Sequence, residues 1–236
     1  MWLEFVYQPT ALFSLKSSDA TNSAAKSLLI PSPYSVKMAL LNAICTFESI
    51  ETANEYFELI RDMEIQFALP KYVAVNNCFI KIIKKDDHPK TPEDLFKSTV
   101  AFREFVYFSG ELKLAVRLSN ESYEDQTDFL KCYFSKVNYF GKRASFFQLV
   151  HMPKEPILDL PKEYSREIND KTFGDGRAKI LMKVDDFGED VDFENVSTFS
   201  GKRTKRMTRI IFLPLKMIKS NKNFTVFART EPNAKT

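Results

Sequence analysis

LLIPSPYSVKMALLNAICTF, residues 28 to 47, is the stretch from which the rest of the chain can be read. Pro31 and Pro33 fix their own φ and push their neighbours toward extended geometry. The chain therefore arrives straight, and the sequence predicts a helix that starts near Ser35, with the Ser35 hydroxyl as N-cap. Val36, Leu40, Ala43, Ile44 and Phe47 recur at helical spacing while Met38, Leu41 and Cys45 cover a second side, so this helix should be largely buried. Lys37 is its one charged residue and lies in the first turn, where the amides and the helix dipole favour an anion. Two readings of Lys37 stand: a phosphate ligand, or a solvated lysine on the rim of a core helix.

Outward from this helix, residues 2 to 7 alternate as a strand, and residues 14 to 27 form a polar loop with two lysines. Thr52 and Glu55 have capping-box spacing ahead of a short amphipathic helix. Strands are predicted around 65–69 and 73–84, then from FREFVYFSG onward and across 112–118; the charged KKDDHPKTPEDLFKS forms the tip between the second and third of these. SYEDQTDFLKCYFSK reads as a helix docked on a sheet, Gly141 as a turn, and 145–150 as the next strand. Strand, helix, strand, hairpin, strand, helix, strand is a ferredoxin-like α+β layout, the topology of the RNA-recognition module. Residues 151 to 177 read as a linker, followed by three short strands, at 178–184, 209–215 and 224–229.

Composition bounds the alternatives. The chain has 236 residues, 44% apolar, with 22 Phe, enough for a full core. The net charge of +3 is too small to argue for nucleic acid, but its distribution is uneven. DDFGEDVDFEN holds six acids in eleven residues, and GKRTKRMTR at 201–209 holds five basic residues in nine. Lys202, Arg203, Lys205, Arg206 and Arg209 suit phosphate tracking; a solvated loop paired with the acidic stretch is the other reading. Lys142 and Arg143 beside Gly141 form a smaller basic patch, and an Arg there could stack on an unpaired base. Tyr7, Tyr34, Phe102, Phe105, Tyr107 and Phe108 could supply stacking platforms, those at strand ends or on the hairpin before the others. Cys45, Cys78 and Cys132 are far apart and read as small buried hydrophobes. The acidic stretch lacks calcium-loop spacing and GDG at 174–176 lacks a phosphate-loop context, so neither a metal nor a cofactor is expected. His88 and His151 are the only histidines, and neither sits in a nucleophile–base arrangement. No signal peptide or membrane span is read, which predicts a cytoplasmic protein without a membrane partner.

YQPTALFSLK followed by LLIPSPYSVKMALLNAI resembles the opening of the Cas-five family, the RAMP-type subunit of class 1 CRISPR interference complexes. NYFGKRASFFQL, residues 138–149, is similar to a second family segment, "LGRREDLV". The chain departs from the pattern at Lys37, where the family has a small residue or Gly, at Ser32 between the prolines, and at Phe140, Lys142 and Ala144–Ser145. The resemblance implies a ferredoxin-like (RRM/RAMP) domain over 1–150 with a β-hairpin thumb inserted at about 76–110, and a linker and smaller C-terminal β-rich region over 151–236. It also implies a non-catalytic subunit of a prokaryotic, Cascade-like complex. That subunit would bind the crRNA 5′ handle, cap a filament of backbone RAMP subunits, dock the large subunit, and lie near target DNA at the start of the guide. Ser32, Tyr34, Lys37, Arg103, Lys142, Arg143 and the 202–209 run are the expected RNA-binding residues. The alternative within the family is a metal-independent endoribonuclease that processes precursor crRNA.

Overall fold

Ser32, not Ser35, caps the helix that follows the prolines. Its backbone is extended and its hydroxyl accepts from Ser35 N at 3.2 Å, while the Ser35 hydroxyl donates to the Ser32 carbonyl at 2.8 Å. Pro33 then occupies the first helical position, the one place in a helix where a missing N–H and a fixed φ are both tolerated. The helix therefore begins two residues ahead of its predicted start.

This computed structural model describes residues 1–20, 26–118, 123–142, 144–168, 179–198, 200–202 and 204–230. In chain order its elements are β1 (Trp2–Pro9), β2 (Leu15–Lys16), β3 (Ser27–Leu28), α1 (Pro33–Phe47), α2 (Ile50–Glu55), α3 (Phe57–Asp62), β4 (Ile65–Ala68), β5 (Tyr72–Lys85), β6 (Phe96–Phe108), β7 (Leu112–Arg117), α4 (Tyr123–Phe134), β8 (Phe147–His151), β9 (Arg166–Glu167), β10 (Ile180–Phe187), β11 (Arg206–Leu213), β12 (Leu215–Ser220) and β13 (Phe224–Arg229). The cap of α2 is Ser49, which accepts from Thr52 N at 3.0 Å; the Thr52–Glu55 spacing falls inside the helix.

The central sheet is antiparallel, in the order β4-β7-β1-β8. Its register places Leu3, Phe5 and Tyr7 beside Val116, Leu114 and Leu112, all on one face. α1 and α4 supply the apolar cover: Leu40, Ile44 and Phe134 share one core cluster with these side chains. Phe5 packs 4.4 Å from Phe134, and the Tyr7 hydroxyl donates to the Phe134 carbonyl at 2.7 Å. The opposite face is closed by the segment after β8. Trp2 and Ile157 exchange backbone bonds at 2.8 Å, Tyr164 is buried on Ala68 and Ala115, and its hydroxyl donates to the Glu4 carboxylate.

The described residues after 151 are distributed over several sheets. Beyond this strap, β10-β11-β9 forms a three-stranded sheet against α1, and Val184, Phe187, Ile211 and Leu213 enter the main core. The last two strands extend the long β5–β6 hairpin into a sheet of order β12-β13-β5-β6. The base of the hairpin is thus widened by the chain's own C-terminal strands.

Candidate nucleic-acid interface

The N-terminal end of α1 opens onto a cleft of about 560 Å³. Ser32 and Tyr34 line it from the helix, Lys16 from β2, Lys142 from the turn before β8, and Asp185 and Arg206 from the β10–β11 hairpin. Gly141 makes the turn possible: its φ is +71°, and a Cβ there would lie 3.1 Å from Leu15 Cδ2. Burial pushes the Lys142 ammonium below its ordinary pKa, and the positive charges of Arg103 and Lys16 add to the effect. Arg103 and Lys16 thus disfavour the charge on Lys142, and an anion beside it would relieve that repulsion. At the cleft wall the Arg206 guanidinium lies 4.2 Å over the Tyr34 ring and 3.3 Å from Asp185 Oδ2. Four expected residues from three distant segments thus meet in one cleft, with Arg103 acting on it from β6.

Lys37 is corrected by the structure. It is 2% exposed, and its ammonium donates to Asp186 Oδ1 and to the Arg61 carbonyl, each at 2.7 Å. It is neither a phosphate ligand nor a solvated rim lysine; it ties α1 to β10. The basic run is also mostly engaged. The β10–β11 register sets Phe187 opposite Arg206 and Val184 opposite Arg209, bringing the acidic and basic stretches face to face. Arg209 bonds Asp186 at 3.0 Å and Glu167 at 2.9 Å, and Lys202 pairs with Asp192 and Glu194. Lys205 is exposed, with no ion pair among the described residues. Arg143, Arg203 and the Gly174–Gly176 turn lie outside the described residues.

Among known proteins, no family model matches the chain. A CRISPR-associated protein Cas5 from Archaeoglobus fulgidus is 28% identical over 205 residues, covering 85% of this chain and 86% of that one. The chain is thus similar in sequence to a Cas5 protein over most of its length. Solved structures with a similar course include a CRISPR protein from Archaeoglobus fulgidus (TM-score 0.43, 9% identity, 98% of this chain and 92% of that chain). Another is a chain of a CRISPR RNA-guided surveillance complex (TM-score 0.41, 13% identity, 89% of this chain and 88% of that chain).

The fold also brings to the cleft two residues, Lys16 and Asp185, that local sequence does not mark. Lys16 was visible only as one of two lysines in a polar loop; the β2–β3 pairing, Leu15 with Leu28, brings it to the cleft. Asp185 was visible only within the acidic stretch. Of the aromatic candidates, Tyr7 and Phe108 are buried core, whereas Phe102 and Tyr107 are exposed on the hairpin. His88 lies at the hairpin tip and His151 at the end of β8, 3.9 Å from Glu111. Among the described residues no cluster of His, Cys, Asp or Glu is placed to hold a metal ion, and no helix is long and apolar enough to cross a membrane.

Proposed function

We propose that this chain is an RNA-binding, non-catalytic subunit of a Cascade-like CRISPR interference complex in the prokaryotic cytoplasm. It grips the crRNA 5′ handle, caps the filament of backbone RAMP subunits and docks the large subunit, with the hairpin folding over the guide near target DNA. The likeness to Cas5 supports the CRISPR-associated role. The strand order β4-β7-β1-β8, with α1 and α4 covering one face, supports a ferredoxin-like RAMP module. The observation that carries the reading is the cleft in which Lys16, Lys142 and Arg206 converge beside Ser32 and Tyr34. Lysines there meet phosphates, and Arg206 on Tyr34 offers a planar surface to a splayed base.

The sheet face free of helices, where an RNA-recognition module stacks bases, is covered here by the Tyr164 strap. RNA is therefore held at the helix end and the basic turn. The test is to incubate labelled repeat RNA with the purified chain in EDTA. Expected are retention without cleavage, weakening with salt, and loss of retention in Lys142→Ala/Arg206→Ala. Specific cleavage would instead establish the processing endoribonuclease, and undiminished retention by the double variant would remove the cleft from the RNA surface.

A further inference from the structure

The sheet β12-β13-β5-β6 has two unlike faces. Val73, Val75, Val106, Phe108 and Leu215 turn inward and join the core. The alternating residues turn outward, and no element among the described residues covers them. The register sets Tyr107 opposite Ala74 and Val226, Phe105 opposite Asn76 and Phe224, and Tyr72 opposite Ala228. Tyr72 is 43% and Tyr107 55% exposed, and Phe105 and Phe224 are half-buried beside them. Small residues between the rings leave a shelf on which aromatic faces can be reached, an arrangement that burial in a monomer does not require.

The rim of this shelf is cationic. Lys216 and Lys219 project on the same face from β12, opposite Ala228 and Val226. Lys219 Nζ lies 5.7 Å from the Phe224 ring, and Lys71 Nζ 5.6 Å from the Tyr72 ring. The one carboxylate in these four strands near the shelf, Glu104, falls on the opposite face and accepts from Ser27 N at 2.7 Å. Arg103 shares the outward face, and its charge is one of those that depress Lys142 in the cleft.

We infer that this outer face is a second RNA platform, which takes an unpaired stretch of the strand held in the cleft by stacking its bases on Tyr72, Phe105, Tyr107 and Phe224. The inference rests on the reading of the cleft as an RNA site. Arg103 marks the path between the two, and the absence of carboxylates on the shelf, among the described residues, favours a polyanion over a protein surface of mixed charge. Bases stack on aromatic faces without regard to sequence, so this platform extends the footprint and adds no base code.

The test measures anisotropy of labelled oligouridine on the full chain, with a short RNA of about 4 nucleotides and a long one of about 16. Tyr107→Ala/Phe224→Ala should weaken the long RNA roughly tenfold per ring and leave the short one unchanged. Tyr107→Phe/Phe224→Tyr should restore the long-RNA affinity, which separates stacking from damage to the sheet. Lys216→Ala/Lys219→Ala should lower the salt dependence for the long RNA by roughly one unit of slope per lysine. Wild-type affinity of the alanine pair for the long RNA overturns the inference; if that pair instead loses a co-purifying subunit, the face belongs to a protein partner. Should Lys142→Ala/Arg206→Ala leave both RNAs bound while the aromatic pair loses the long one, the platform stands and the cleft reading falls.

Discussion

Asp186→Asn should destabilise this protein more than Lys37→Met, although the two residues are partners. Asp186 is 5% exposed and holds three donors: Lys37 Nζ at 2.7 Å and Phe187 N at 2.8 Å on Oδ1, and Arg209 Nε at 3.0 Å on Oδ2. Removing its charge leaves the buried Lys37 and the half-buried Arg209 facing each other, a loss of about 3–5 kcal/mol for an uncompensated buried ion. Lys37→Met removes an ion whose desolvation outweighs the attraction of Asp186. Asp186 keeps Arg209 and the Phe187 amide, and only the Arg61 carbonyl is orphaned, so about 1–3 kcal/mol is lost. With a urea slope of about 3 kcal/mol/M, the midpoints fall by about 1–1.7 M and about 0.3–1 M respectively. Burial already holds the Lys37 ammonium below its ordinary pKa, against the attraction of Asp186, and loss of that carboxylate lowers it further. The folded chain then binds fewer protons than the unfolded one between that depressed value and the ordinary lysine range, so stability rises with pH there. The Asp186→Asn deficit should therefore narrow as pH rises toward about 10, and that of Lys37→Met should not. Equal or reversed deficits at neutral pH, measured by urea denaturation, would refute this account of the α1–β10 contact.

Three further outcomes are expected. Gly141→Ala forces a side chain into a left-handed backbone at φ +71° with its Cβ 3.1 Å from Leu15 Cδ2; it should lower stability by about 1–2 kcal/mol in urea denaturation and weaken retention of repeat RNA by moving Lys142. Ser32→Ala removes the acceptor for Ser35 N and should cost about 1 kcal/mol in the same assay, with Ser32→Asp recovering most of it. Lys142, depressed by burial and by Arg103 and Lys16, holds an anion only while protonated; RNA affinity is fully present below its depressed pKa and should decline in binding titrations as pH rises through it, earlier than an ordinary lysine would give.

The layout of the central sheet was legible because its strands alternate cleanly and its helices carry continuous apolar faces. Leu112, Leu114 and Val116 face inward as their spacing requires, and the strand at Phe224–Arg229 was anticipated residue for residue. The helix start was misplaced because Pro33 was read as an obstacle ahead of the helix, when the first helical position suits proline. The pairing of β13 with β5 was not legible: local alternation marks a strand but not its neighbour, and these two are about 150 positions apart. The cleft was half legible for the same reason. Its helix end and glycine turn carry local signals, whereas Lys16 gains meaning only when β2 folds against β3.

The abrupt charge reversal between residues 185 and 209 teaches a sharper lesson. Read along the chain, five cations in nine residues look like a phosphate track. Folded as a hairpin, the same residues meet the acids that precede them, and Arg209, Arg206 and Lys202 each find a carboxylate. Opposite charges separated by a turn are matched by the antiparallel register itself, so such a reversal predicts internal pairing before it predicts a ligand. A phosphate arriving at Lys202, Arg206 or Arg209 would have to displace a carboxylate already in place. At Lys142 it would displace none among the described residues and would relieve repulsion from Arg103 and Lys16. The gain on binding is therefore larger at the sparse patch than at the dense one, and Lys142→Ala should cost more RNA affinity than Lys202→Ala. Filter-binding at matched salt measures both, and the reverse order would return the run at 202–209 to the centre of the RNA surface.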